Sequence, residues 1–410
     1  MRDTTLLRTI IAIQDTIVTA VEFNEQGVIA DVRPAWKVAR CSECWRKCSA
    51  YDARERVWRH LDLGGMICRI RYTIRRVSCP KCGVKVEAVP WAESGSRFTR
   101  PFEMHTTYLA QQNDKTTVTK LMRISWVTVG KIIQRAVAAQ LGDVDRLDNL
   151  RRIGVDEISY RRHHEYITVV VDHETGVVVW ASKGKSADTL KLFFEALGPE
   201  RLAKLESVTI DMSAAYVKAI TEAAPNATII FDRFHVQKLA NEAVSKVRRA
   251  EVREAEPEDK QALKRTQWPL LKSPWNLTEL EDQKLVDLQK TNQRIYRGYL
   301  LKEALVAIFT CSSTIIAGWK IDEWEAWASR SRLAPFVTLA KTIRKYRDGI
   351  IEYVRDRLNN GRVEGLNGKT RTITRRSYGF HSASSLISMI FLCCGGVHAH
   401  PAHVGPFRTH

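Results

Sequence analysis

Two Cys-x-x-Cys pairs constrain the fold of this chain more than any other feature. The pairs are "CSEC" (Cys41, Cys44) and "CPKC" (Cys79, Cys82), with the inner cysteines 35 positions apart. Each pair places two thiolates on one tight turn, and two such turns supply four soft ligands, the set that tetrahedral Zn²⁺ prefers. The intervening "ICRIRYTIRRVSC" reads as strand. A thioredoxin-like redox motif would need only one pair, beside a βαβ pattern. So small a segment has little apolar core of its own, and a bound metal would supply much of its folding energy. Cys48 and Cys68 lie nearby, and either can replace one of the four in the ligand set. Nine cysteines in a chain with no apparent secretion signal fit metal binding better than a disulfide framework.

The charge balance narrows the partner. With 64 Lys and Arg against 46 Asp and Glu, the formal charge is +18, which favours a polyanion and above all nucleic acid. The longest apolar run, "SLISMIFLCCGGV" (385–397), is too short to span a bilayer and reads as a buried helix. A soluble, cytoplasmic, nucleoid-associated protein with no membrane partner is expected. Residues 97–140 read as helical, and in "TTVTKLMRISWVTVGKIIQRAVAA" the apolar period breaks at 123–126 and resumes at Val129. Two short helices about a turn, the second capped by Ser125, make a helix-turn-helix. Such pairs also occur without DNA contact. Here the motif gains weight from the zinc module and the basic charge.

From residue 151 the pattern changes to short strands: "RRIGVDEISY", "HEYITVVVDHETGVVVWASKG" with a hairpin turn at "DHETG", "ESVTIDMSAAY" and "ATIIFDRFHV". Helical stretches "TLKLFFEAL" and "AAYVKAITEAA" fall between them, giving the order β, β, β, α, β, α, β of a ribonuclease H-like core, a mixed sheet flanked by helices. Residues 240–345 are charged and helical, and hold Trp268, Trp275, Trp319, Trp324 and Trp327. They read as a helical insertion in which most of these tryptophans pack the bundle.

Three carboxylates stand out. Asp156 in "IGVDEIS" is expected at the end of one strand, and Asp211 closes another in "VTID". Glu364 is the one acid of "NNGRVEGLNGKTRTITRR" (359–376), among Arg362, Lys369, Arg371, Arg375 and Arg376. A solvated helix would intersperse acids as partners for those cations. A lone carboxylate in a cationic field suggests a metal ligand beside a polyanion. On a helix, Gly368, Arg371 and Arg375 share a face with Glu364, so the arginines would grip phosphates bidentately next to it. Three such carboxylates suit a pair of Mg²⁺ (or Mn²⁺) ions. Glu157 and Asp232 are rivals for the inner positions.

"IGVDEIS", "VTIDMSAAY", "FDRFHV" followed by "VRR", and "NNGRVEGLNGKTRTITRRSYGF", together with the two Cys-x-x-Cys pairs, resemble the bacterial insertion-sequence transposases of the DDE type, in particular the ISL-three group. The resemblance spans nearly the whole chain. It implies a ribonuclease H-like catalytic domain whose Asp, Asp and Glu metal ligands fall on Asp156, Asp211 and Glu364. The N-terminal zinc and helix-turn-helix region would recognise the element's terminal inverted repeats. "DRFH" resembles an Asp-x-x-His motif that makes Asp232 and His235 auxiliary active-site residues, although a buried histidine at a strand end also serves packing. The expected division is a zinc-binding domain at 1–95, a helix-turn-helix region at 96–148, a first catalytic part at 149–240, a helical insertion at 241–345, a second catalytic part carrying Glu364 at 346–400, and a tail at 401–410. The expected partners are double-stranded DNA (element ends and target) and a second copy of the chain in a dimer or larger synaptic complex. Two other functions use the same features: a structure-specific nuclease that cuts without joining, and a DNA-binding regulator whose acids are structural.

Overall fold

The computed structural model describes residues 3–161, 165–257, 260, 263, 265–356, 365, 368–370, 372, 373, 380 and 382–401. The chain divides into two compact units, Met1–Val144 with Phe391–His410, and Asp145–Ile390.

The first unit opens with α1 (Asp3–Ile11) and a sheet of β1 (Thr16–Asn24), β2 (Gly27–Pro34), β3 (Ser49–Arg59), β4 (Cys68–Cys79) and β5 (Gly83–Val86). The strand order is β1-β2-β4-β3, with β5 paired to β4. Its core gathers Trp58, Trp91, Ile70, Val32 and Leu7. Gly27 sits at φ 116°, and a Cβ there would collide with the Ile67 carbonyl, so only glycine fits the β1–β2 turn. Glu87 is buried behind this sheet, where both oxygens accept from the Arg75 guanidinium and one also accepts from Tyr72 Oη.

Three helices follow: α2 (Arg100–Gln112), α3 (Lys115–Met122) and α4 (Trp126–Leu141). Thr99, Asp114 and Ser125 cap them, each side-chain oxygen accepting from a backbone N–H in the first turn. Arg123 takes a left-handed conformation, φ 52°, to close α3 and turn the chain into α4, as the break in apolar period predicts. Val118, Met122, Val129, Ile132 and Ile133 are buried. In the same unit Gln111 Nε2 donates to the carbonyls of Leu392 (2.7 Å) and Val397 (2.9 Å), and the Gln140 amide exchanges two hydrogen bonds with the backbone of His398.

The second unit is built on β6 (Arg152–Arg161), β7 (Glu165–Asp172), β8 (Val178–Lys183), β9 (Ser207–Ile210) and β10 (Thr228–Phe231), in the order β10-β9-β6-β7-β8. β6, β9 and β10 run parallel, and β7 and β8 join antiparallel, so the sheet is mixed. Helices α5 (Ala187–Leu197), α6 (Pro199–Leu202) and α7 (Ala214–Ala223) fall between the strands, and α8 (Arg233–Glu254) leaves the end of β10. Then come α9 (Gln267–Leu271), α10 (Glu279–Thr291), α11 (Gln293–Ile308), α12 (Thr314–Arg330), α13 (Ala334–Lys345), α14 (Arg347–Asp356) and α15 (Ala383–Cys394), the last crossing into the first unit. One continuous apolar core runs from Ile153 and Val208 in the sheet to Leu301, Phe336 and Ile350 in the helices. Residues 385–394 are helical as the apolar run predicts, with Leu386, Ile390 and Leu392 buried.

The tryptophans of the helical segment correct their sequence reading. Only Trp324 is buried, with its Nε1 donating to the Leu301 carbonyl at 2.7 Å. Trp268, Trp275, Trp319 and Trp327 are 68%, 73%, 71% and 37% exposed. The bundle core is filled by aliphatic residues with Tyr299, Phe309, Trp324, Phe336 and Tyr346, and the other four tryptophans are not among its buried residues. No helix among the described residues is long and apolar enough to cross a membrane.

Candidate functional site

Strand register assembles the acidic site. β9 pairs with β6 through Gly154↔Thr209, and with β10 through Phe231↔Ile210. Continuing both registers sets Asp156, Asp211 and Asp232 side by side on three neighbouring parallel strands, and the Asp232 N–H donates to the Ile210 carbonyl at 3.1 Å. Neighbouring strands lie about 4.8 Å apart, so the row spans about 10 Å. Asp211 and Asp232 lie just past the ends of β9 and β10, where each carboxylate accepts a hydrogen bond from the backbone two residues on, Ser213 and Phe234.

Asp156 differs from its expected place. It lies in the middle of β6, because β6 continues to Arg161 on the strength of its antiparallel ladder with β7, after its parallel neighbour β9 has ended. Seen from β9 and β10 the carboxylate is still at the carboxyl edge. Its Oδ1 accepts from the Glu157 N–H at 2.7 Å.

Glu157, the rival, stands across from Thr168 in the β6–β7 ladder, whereas Asp156 stands across from Val169, so the two acids alternate between faces. Thr168 Oγ1 and Tyr216 Oη are 3.2 Å apart, and Glu157 shares in that hydrogen-bonded group. Burial pushes the Glu157 carboxyl above its ordinary range, and the charges of Asp211 and Asp156 add to this against the Tyr216 hydrogen bond and Lys185.

His235 lies on the first turn of α8, with Nδ1 3.3 Å from Asp232 Oδ2. Burial opposes its charging, but the Asp232 carboxylate beside it and the charges of Asp156 and Asp211 outweigh burial and raise its pKa. One imidazole thus feels all three aspartates. The site is a row of hard oxygen donors with an imidazole beside one end of it. That donor set suits a hard divalent cation, whose binding would relieve the mutual repulsion of the carboxylates. Glu364, Arg362, Arg371, Arg375 and Arg376 lie outside the described residues. Lys369 is described, exposed, in a helical turn.

The four cysteines make the second site. Among the described residues, the one group of three or more His, Cys, Asp or Glu ligand atoms within 4.8 Å of one another is Cys41, Cys44, Cys79 and Cys82. Cys44 Sγ and Cys79 Sγ are 3.5 Å apart, close to the edge of about 3.8 Å expected for sulfurs bound at about 2.3 Å to one tetrahedral ion. Cys79 ends β4 and Cys82 precedes β5, while Cys41 and Cys44 turn between β2 and β3, with Lys85 and Glu43 clasping the two turns at 2.6 Å. Against the effect of burial, N–H groups of Cys82 and Lys81 and the Cys44 and Cys41 thiols bring the Cys79 thiol down to about 6. The structure leaves Cys48 and Cys68 out of the four. Cys48 donates to the Arg46 carbonyl at 3.4 Å, and Cys68 is buried at the start of β4 with its thiol raised by burial to about 11.

Comparison with known proteins agrees with the zinc site and gives the family. A transposase family model of the ISL3 type with a DDE domain matches residues 153–390, more than half of the chain. The chain belongs to the ISL3 family of transposases. A helix-turn-helix domain of transposase family ISL3 matches residues 87–137, and a zinc finger of the IS204/IS1001/IS1096/IS1165 transposases matches residues 37–82. The transposase for insertion sequence element IS1557 of Mycobacterium tuberculosis is 39% identical over 97% of this chain and 96% of that protein. The transposase for IS1001 of Bordetella parapertussis is 28% identical over 85% of this chain and 87% of that protein.

This ISL3-family chain is therefore an insertion-sequence transposase with a DNA-binding helix-turn-helix, a zinc ribbon and a DDE transposase domain. α4, the second helix of the pair, exposes Val127, Lys131 and Gln134. Sequence reading named none of these three. Their signal was available in the turns of α4 that alternate with buried Val129, Ile132 and Ile133.

Proposed function

We propose that the second unit is a ribonuclease H-like nuclease and strand transferase, in which Asp156 and Asp211 from the sheet and Glu364 from the segment after α14 hold Mg²⁺ (or Mn²⁺). In this reading residues 149–240 and 346–390 are the two parts of the catalytic core and 241–345 is its helical insertion, while 391–400, expected with the second part, group with the first unit. The observation that carries it is the alignment of Asp156, Asp211 and Asp232 by register, with His235 Nδ1 3.3 Å from Asp232 Oδ2. When bound, the ions supply activation of the attacking oxygen and stabilisation of the leaving one. Asp232 orients the His235 ring through Nδ1. The neighbouring aspartates raise its pKa, and the ring lies where it can donate a hydrogen bond to a non-bridging oxygen of a phosphodiester. Arg362, Lys369, Arg371, Arg375 and Arg376 hold the neighbouring phosphates. Hydrolysis frees a 3′-hydroxyl at the element end, and the same carboxylates then serve its attack on target DNA, with no covalent link to the protein.

Zn²⁺ on Cys41, Cys44, Cys79 and Cys82 fastens the β-ribbon beside the helix-turn-helix that binds the terminal repeats. Double-stranded DNA is the partner, both as element ends and as target. Pairing two ends calls for two copies of the chain or more. The test is a cleavage and joining assay on DNA carrying the gene's own flanking ends, with Mg²⁺, with EDTA, and with Asp156→Asn, Asp211→Asn and Glu364→Ala. Metal-dependent cutting and joining, lost in each variant while end binding persists, is expected. Cutting without joining would make the protein a nuclease, and binding with no cutting under any metal would make it a regulator.

A further inference from the structure

α8 starts at the acidic row, where Asp232 caps it, and runs 22 residues out from the sheet, about 33 Å. Its buried side is Val236, Ala240, Ala243, Val244 and Val247. Its solvent side carries Lys238, Lys246, Arg249 and Arg253, all exposed, and none of the four joins an ion pair among the described residues. At 100° per residue these four lie within an arc of about 80°, over about 22 Å of helix. Glu242 is the one acid within that arc. Glu242 stands four residues from Lys238 and from Lys246 but pairs with neither among the described residues, unlike Lys218 and Glu222 on α7, and no acid of the helix stands three or four residues from Arg249.

The near end of the same face is hollowed. A space of about 310 Å³ opens between Leu271 and the turns of α8 that carry Phe234, Gln237 and Asn241. Phe234 is 41% exposed, and its ring meets the His235 ring edge-on at 6.0 Å. Asn241 Oδ1 is buried with no hydrogen-bond partner among the described residues. An aromatic face, an unsatisfied amide acceptor and a line of unpaired cations form a combination that suits a nucleic acid strand with an unstacked base.

We infer that α8 is a DNA track leading away from the acidic row: Lys238, Lys246, Arg249 and Arg253 hold successive phosphates of one strand, and a base of that strand lies in the hollow against Phe234, its amino or imino N–H donating to Asn241 Oδ1. The inference rests on the catalytic reading only for what the strand does next, since the binding itself needs no cleavage.

The probe is a 15-nucleotide single-stranded oligothymidylate with one central 2-aminopurine, bound to the full chain between 50 and 300 mM salt. Replacing all four cations by alanine makes the dependence of log affinity on log salt shallower by about 3, at roughly 0.7 per phosphate. A control variant loses four exposed lysines elsewhere on the unit (Lys204, Lys290, Lys320 and Lys341) and keeps the wild-type slope. The 2-aminopurine fluorescence falls on binding to the wild type and is restored in Phe234→Ala. An unchanged slope in the first variant, an equal loss in the control, or unchanged quenching in Phe234→Ala each overturns the track. End cleavage by the wild type in Mg²⁺ is scored separately. If cleavage is absent while both binding effects appear, the catalytic reading falls and the track stands. If the wild type cuts and the binding effects are absent, the track alone falls.

Discussion

Replacing Gly349 by alanine adds one methyl group where α14 lies against β10. A Cβ at this position would overlap the Phe231 ring and stand 2.9 Å from the Ile229 carbonyl oxygen. Neither neighbour has room to yield. Phe231 is 4% exposed and its ring packs edge-on against Tyr346 with centroids 4.9 Å apart, while Ile229 is held in the parallel ladder with β9. Relief therefore requires α14 to lift or β10 to shift. Overpacking of this kind costs about 1–3 kcal/mol. For a cooperative unit of this size each kcal/mol lowers Tm by about 2–4 °C, so scanning calorimetry of the full chain should show the second unit melting about 2–12 °C early. Because Phe231 is followed directly by Asp232, the same shift disturbs the acidic row, and end cleavage should fall severalfold even at temperatures where the variant is folded. A variant with wild-type Tm and wild-type cleavage would refute the close approach and, with it, the argument that α14 fixes the end of β10.

Cys79→Ser should release zinc, read by elemental analysis of the purified chain, and lower the melting temperature of the first unit; full retention of zinc would remove Cys79 from the ligand set. Lys115 is 4% exposed, its Nζ lies 3.3 Å from the centroid of the Trp126 ring, and burial lowers its pKa to about 8. Its folded pKa lies below the unfolded value near 10.4, so the unfolded chain holds more protons between the two, and stability relative to Lys115→Met should rise as pH increases from about 8 to about 10.4. A flat difference in urea unfolding across that window would contradict the burial. Glu87→Gln should destabilise the first unit by up to about 3 kcal/mol, less than a fully buried pair because Arg75 is partly exposed, and urea unfolding measures it. Lys131→Ala on α4 should weaken end binding and make its salt slope shallower by about 1.

The amino-acid order by itself determined what depends on neighbours in sequence. Four thiolates on two tight turns, the caps at Thr99, Asp114 and Ser125, the break at Arg123 and the alternating strands of 151–231 are set by backbone preferences and ligand chemistry within a few residues. The mixed order of strands and helices in the second unit was legible for the same reason. Asp211 was legible because it follows a short apolar strand, and Asp232 because "DRFH" resembles an Asp-x-x-His motif.

Tertiary structure decided the rest. That Asp156 and Asp211 stand side by side, with Asp232 completing the row, follows from registers between strands 55 and 21 residues apart, and register is fixed by which apolar faces meet in the core. The mid-strand position of Asp156 follows from a ladder with β7 that outlasts the one with β9. The exposure of four of the five tryptophans follows from which helix faces pair, and an indole reads alike in sequence whether a partner helix covers it or not. The open cationic face of α8 has the same origin: its apolar side is taken by α11 and α13, and that choice leaves Lys238, Lys246, Arg249 and Arg253 turned to solvent beside the acids.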